Sequence, residues 1–113
     1  MSEYITTHTG NHFESMNPNL ELICIEDIAH ALSLMCRGNG HVKTFWSVGQ
    51  HCTCCAKEAA ERGLPARMVL ACLFQDASES YMSDVPRPFK KEIPFYQEQE
   101  EKLLTMIYEK WSR

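Results

Sequence analysis

Apolar residues recur at helical spacing along most of the chain. From about Leu22, residues Cys24, Ile28, Leu32, Met35 and Cys36 fall on one face, which predicts a first helix. Glu26 and Asp27 near its start suit the positive end of a helix dipole, and Arg37-Gly38-Asn39-Gly40 stops it. A second helix is predicted from about Ser47 to Arg62, with Val48, His51, Cys52, Cys55 and Ala59 sharing a face. Gly63 ends it, and Pro65 suits the first turn of a third helix, which carries Val69, Leu73, Asp76, Ala77 and Ser80 on one side. Asp84-Val85-Pro86-Arg87-Pro88 reads as a loop, because the two prolines remove donors and restrict their neighbours. A last helix from about Phe95 to Trp111 has Tyr96, Leu103, Leu104, Ile107 and Trp111 as its apolar stripe. Residues 1–19 are polar and broken by Gly10, Asn11, Asn17, Pro18 and Asn19, which predicts an irregular arm. There is no internal repeat, low-complexity tract or strand alternation. The expectation is an all-α fold: one domain over residues 20–113 with about four main helices.

Composition narrows the classes without naming one. At 113 residues the chain has the length of one domain, and 44% hydrophobic with 23% charged residues is ordinary globular composition. A net charge of −4 argues against a general nucleic-acid binder, which needs a basic face. The longest uncharged, largely apolar run, Ile28 to Cys36, falls far short of the about 20 residues a membrane span requires. Met1-Ser2-Glu3-Tyr4 has neither the basic nor the apolar region of a signal peptide, so a cytoplasmic location is expected. Six cysteines, three of them within His51-Cys52-Thr53-Cys54-Cys55, then read as reduced thiols.

Polar residues on faces that should be apolar mark the candidate chemistry. His51 lies among Val48, Cys52, Cys55 and Ala59, and Asp76 follows Leu73 and Val69 on the third helix. A buried carboxylate is costly unless paired, hydrogen-bonded or bound to a metal. Glu79, three residues after Asp76, puts two carboxylates on one face, an arrangement that favours a cation or a proton between them. His51 could complete a small N/O metal site. The plainer alternatives are a core histidine hydrogen-bonded to a carbonyl, and an acidic pair salt-bridged to Arg37 or Lys90. Cys52, Cys54 and Cys55 cannot face one ion from a single helix, and paired C-x2-C knuckles are missing, so Cys52 and Cys55 read as core thiols on the stripe.

The order of the motifs adds to this. Ile25-Glu26-Asp27-Ile28-Ala29-His30-Ala31-Leu32-Ser33, then Arg37-Gly38-Asn39-Gly40-His41, then Ser47-Val48-Gly49-Gln50-His51, resembles the HD-domain metal-dependent phosphohydrolases. The stretch Leu73-Phe74-Gln75-Asp76-Ala77-Ser78-Glu79-Ser80-Tyr81-Met82-Ser83-Asp84-Val85-Pro86-Arg87-Pro88-Phe89-Lys90 looks like that family's central signature, closest to the branch acting on nucleoside 5′-monophosphates. The likeness runs from about Tyr4 to Trp111. It implies an HD-type helical bundle, with His51 and Asp76 as ligands of a divalent ion (manganese, cobalt, magnesium or zinc). It further implies that Glu79 and Asp84 organise and activate the attacking water, and that Arg37 holds the substrate phosphate. Apart from the resemblance, Arg87, Lys90 and Lys91 form a short basic patch near Asp84 that could help attract a phosphate, with a solvated loop as the plainer reading. In the family the ion lowers the pKa of a bound water and neutralises phosphoryl oxygens.

Two positions depart from the family pattern. Gln75 stands where the His-Asp doublet has its histidine, so a neutral amide replaces an imidazole among the metal residues. The family's final aspartate ligand has no counterpart, because no aspartate follows Asp84, and the C-terminus is expected to be short. Two function classes follow. One is a divergent phosphohydrolase of nucleoside monophosphates or similar phosphoesters; the other is an inactive HD-fold pseudoenzyme that binds a nucleotide or a protein partner. The stripe of the last helix, left without cover by a short chain, would be covered by a second copy, which implies a homodimer.

Overall fold

The computed structural model describes residues 3–112; Met1 and Ser2 of the expected arm and Arg113 of the expected domain lie outside the described residues. The fold is mainly helical. Its four longer helices are α1 (Ile25–Leu34), α2 (Val48–Glu61), α3 (Ala66–Phe74) and α6 (Pro94–Trp111), joined by single turns α4 (Glu79–Met82) and α5 (Arg87–Lys90). No helix among the described residues is long and apolar enough to cross a membrane.

α1 begins later than its pattern suggests. Leu20–Leu22 form a separate 3-10 turn whose Asn19 side chain accepts the Glu21 N–H at 3.0 Å, and Cys24 is extended. Asp27, Ile28 and Leu32 are the buried residues of α1. Met35 and Cys36 are also extended, and Cys36 pairs with Ser47 across the following turn. That turn reverses the chain because Gly38 and Asn39 both adopt left-handed conformations (φ 62° and 55°), which glycine and asparagine tolerate best. The Arg37 N–H bonds the Trp46 carbonyl and the Val48 N–H bonds the Met35 carbonyl, each at 2.8 Å, so Arg37 is fixed close to the start of α2.

α2 starts where expected. The Ser47 hydroxyl accepts the Gln50 N–H at 3.0 Å and the Gln50 side chain accepts the Ser47 N–H at 2.9 Å, a reciprocal cap. α3 ends at Phe74, short of the expected run through Ser80. Residues 75–78 instead make tight turns, with the Ala77 and Glu79 N–H groups bonded to the carbonyls three residues back, and α4 follows. The predicted loop over 84–88 is partly helical, because Pro86 precedes α5 and Pro88 occupies its first turn, where a helix needs no N–H donor.

The N-terminal arm is not wholly irregular. β1 (Ile5–Thr6) and β2 (His12–Phe13) form an antiparallel pair with Ile5 opposite Phe13 and Thr6 opposite His12. Phe13 is fully buried and stacks on Tyr81 with ring centroids 4.1 Å apart. The hairpin is tied to α1 by Asp27, whose carboxylate accepts the Thr9 N–H at 2.8 Å and the Thr9 hydroxyl at 3.1 Å. The core joins Phe13, Ile23, Leu32, Val48, Leu103 and Ile107. Leu103 and Ile107 are thereby covered within the chain, and Trp111 packs on Phe74 at 5.5 Å. Of the stripe of the last helix, Leu103 and Ile107 are buried, while Tyr96, Leu104 and Trp111 are half-buried.

Candidate functional site

Asp76 lies in the turn after α3, at the meeting point of three elements. Arg37 comes from the left-handed turn before α2 and reaches the Asp76 carboxylate with Nη1–Oδ2 at 4.0 Å. His51 comes from the first turns of α2 and brings Nε2 to 4.0 Å from the same oxygen. The Cys52 thiol donates to that oxygen at 3.8 Å, and Cys55 Sγ stands 3.7 Å from His51 Nε2. His51, Asp76 and Arg37 are all half-buried, so the cluster is partly open to solvent. Burial, followed by the negative charge of Asp76, pushes the Cys52 thiol up to about 12, which keeps it protonated as a donor.

Glu79 is the first residue of α4 and is 8% exposed. Burial and the nearby charges of Asp76, Asp84 and Glu100 push its carboxyl up to about 8, so it carries a proton near neutral pH. Asp84, two residues beyond α4, is half-buried and contributes to this field.

Gln75 does not join the cluster. It is exposed, and its amide donates to the Cys72 carbonyl at 3.1 Å. Lys90 is engaged elsewhere: its ammonium bonds both oxygens of Glu100 at 3.1 and 3.2 Å and lies 5.7 Å from the Tyr96 ring centre. The Tyr96 hydroxyl donates to the Ser83 carbonyl at 2.5 Å, and burial raises its pKa above the ordinary tyrosine value. Glu100, Tyr96 and Cys52 are parts of this region that sequence reasoning did not assign to it. Lys90 and Glu100 are ten residues apart across a proline break, so no helical spacing announces their pairing.

The donor chemistry tests the ion that the resemblance implies. His51 and Asp76 present one nitrogen and one oxygen 4.0 Å apart, enough for two positions of an ion's shell. Among the described residues, no group of three or more His, Cys, Asp or Glu is placed to hold a metal ion. The donor set present is half a site.

No family model matches the chain. Among curated proteins it is similar to the uncharacterized protein YfdR of Escherichia coli (strain K12), with 38% identity over 108 residues. The matched stretch is 96% of this chain and 58% of YfdR, so the chain spans a little over half the length of that relative.

Proposed function

We propose that this chain is a divergent HD-domain phosphohydrolase-like protein whose Arg37–His51–Asp76 cluster faces a small phosphoester such as a nucleoside monophosphate. The observation that carries this reading is the convergence of Arg37 and His51 on one oxygen of Asp76 from separate elements. A guanidinium suits a phosphate through its planar fork of donors, and protonated Glu79 beside Asp76 is a group able to pass a proton to a departing oxygen. A divalent ion would be held by His51 and Asp76, but the described residues do not complete its shell, and no hydrolytic step is derived through it. Six free thiols suit a reducing compartment, and we place the protein in the cytoplasm.

The second reading, a catalytically inactive scaffold that binds nucleotide or a protein partner, is favoured by one observation: Gln75 turns its amide to the Cys72 carbonyl instead of toward Asp76. Calorimetric titration of the protein with nucleoside 5′-monophosphates, with and without manganese, tests the shared claim. Binding is expected in the wild type and at least about tenfold weaker in Arg37→Ala, given the strength of charged hydrogen bonds to phosphate. No binding of any of these nucleotides overturns the phosphoester site. Release of inorganic phosphate then separates the readings: turnover lost in Asp76→Ala supports the hydrolase, and binding without turnover supports the inactive scaffold.

A further inference from the structure

The turn that follows α4 is strained. Ser83 has φ 80° and ψ 161°, a combination that only glycine enters freely, because a Cβ is crowded by the backbone there. Among the described residues Asn39 is the other non-glycine residue with a positive φ, and it sits in the ordinary left-handed region that asparagine tolerates. Within its own turn, Ser83 has one backbone bond to set against this cost, from its N–H to the Glu79 carbonyl at 2.9 Å.

The direction the turn imposes is unfavourable as well. It brings Asp84 back beside Glu79, close enough for the charge of one to act on the other. Two carboxyl groups separate when the chain lets them, so neither backbone preference nor charge explains the shape of the turn. A contact from another element does. The Ser83 carbonyl accepts the Tyr96 hydroxyl from α6 at 2.5 Å. Tyr96 is half-buried, and the Lys90 ammonium, itself bonded to Glu100, lies 5.7 Å from its ring centre. Burial, followed by the charges of Glu100, Glu79 and Asp84, keeps the proton on the Tyr96 hydroxyl, so it remains a donor.

We infer that Tyr96 is a positioning residue of the candidate site: its hydrogen bond to the Ser83 carbonyl holds the strained turn that sets Asp84 beside Glu79. Bond and strain together make a latch. With the bond broken, Ser83 relaxes to a negative φ and carries Asp84 away from Glu79. The latch itself is independent of the phosphoester reading. Its use, which is to keep two carboxyl groups together for proton handling at a phosphoester, rests on that reading.

Backbone chemical shifts and amide hydrogen exchange at Ser83 and Asp84 test the latch in wild type, Tyr96→Phe, Ser83→Gly and the double variant. Tyr96→Phe is expected to keep its helical circular dichroism, to move the Ser83 shifts out of the positive-φ range, and to speed exchange of both amides about tenfold. In the double variant glycine adopts the turn without strain, so the Asp84 shifts and exchange return toward wild type. A Tyr96→Phe protein whose Ser83 keeps its positive φ and its slow exchange overturns the inference. So does a double variant that glycine fails to restore, which would leave Tyr96 a packing residue only. Binding and hydrolysis of a nucleoside 5′-monophosphate separate the latch from the phosphoester reading. Where the wild type releases phosphate, Tyr96→Phe is expected to lower turnover at least about tenfold with binding unchanged, and the double variant to recover it. Turnover that survives the opened turn overturns the use of the pair in the chemistry. A wild type that neither binds nor hydrolyses overturns the phosphoester reading, and the shift and exchange data still decide the latch.

Discussion

Replacing Glu79 by glutamine keeps the size of the side chain and removes its charge. Burial and three neighbouring carboxylates raise the Glu79 carboxyl from its ordinary 4.5 to about 8 in the folded protein. The folded state therefore holds a proton that the unfolded chain releases between these values. Stability from this group is fully present below pH 4.5 and is lost as pH rises toward 8. The slope in that window is about 1.4 kcal/mol per pH unit, so between pH 5 and pH 7 the wild type is expected to lose roughly 2–3 kcal/mol that Glu79→Gln keeps. For a domain of this size that difference moves Tm by roughly 10 °C. Urea denaturation of both proteins at a series of pH values measures it. Subtracting the two curves cancels the titration of the five histidines, which both proteins share. Parallel curves, or a variant less stable than wild type at pH 8, would refute the placement of Glu79 as a protonated carboxyl.

Three further outcomes follow from the same structure. Asp27→Ala removes the acceptor of two Thr9 hydrogen bonds and is expected to cost about 2–3 kcal/mol in denaturant titration, with faster amide exchange in the 5–13 hairpin. Although burial opposes it, hydrogen bonds from Cys24, Thr9 and Thr7 hold the Asp27 carboxyl below 3.8, so this stabilisation is present above that pH and fades as acid is added. Ile107→Ala empties a fully buried core position and is expected to cost roughly 2–5 kcal/mol with an unchanged urea m-value, which an equilibrium unfolding curve checks. With only His51 and Asp76 as facing donors, added manganese or zinc is expected to wash out on desalting; a stoichiometric ion, retained in wild type and lost in Asp76→Ala, would show a third donor at work.

The helices were legible where local chemistry and packing agree. Ser47 and Gln50 cap α2 as their spacing allows, and the sequence from Phe95 to Trp111 carries α6 within a residue of its ends. The third helix read too long because Asp76, Ala77 and Ser80 continue its face in sequence, while the chain turns at residue 75 to bring Glu79 inside. Phe13 was invisible as a core residue because two-residue strands leave no periodic signal, and its burial depends on Tyr81, distant in sequence. Within the site, the apolar neighbours of His51 and Asp76 in sequence already singled out both residues, although Asp76 lies in the turn after α3 and not on its face. The approach of Arg37 depends on left-handed Gly38 and Asn39, and the pairing of Lys90 with Glu100 depends on how α5 meets α6. Neither follows from spacing along the chain.

Chemical-shift mapping with a nucleoside 5′-monophosphate tests the functional account most directly, because it reports where the ligand sits whether or not it is hydrolysed. Perturbations concentrated on Arg37, His51, Asp76 and Glu79 are expected, and they should vanish in Arg37→Ala. Saturating nucleotide that leaves these four residues unmoved, or that shifts only residues around Ile25 and Trp46, would contradict it.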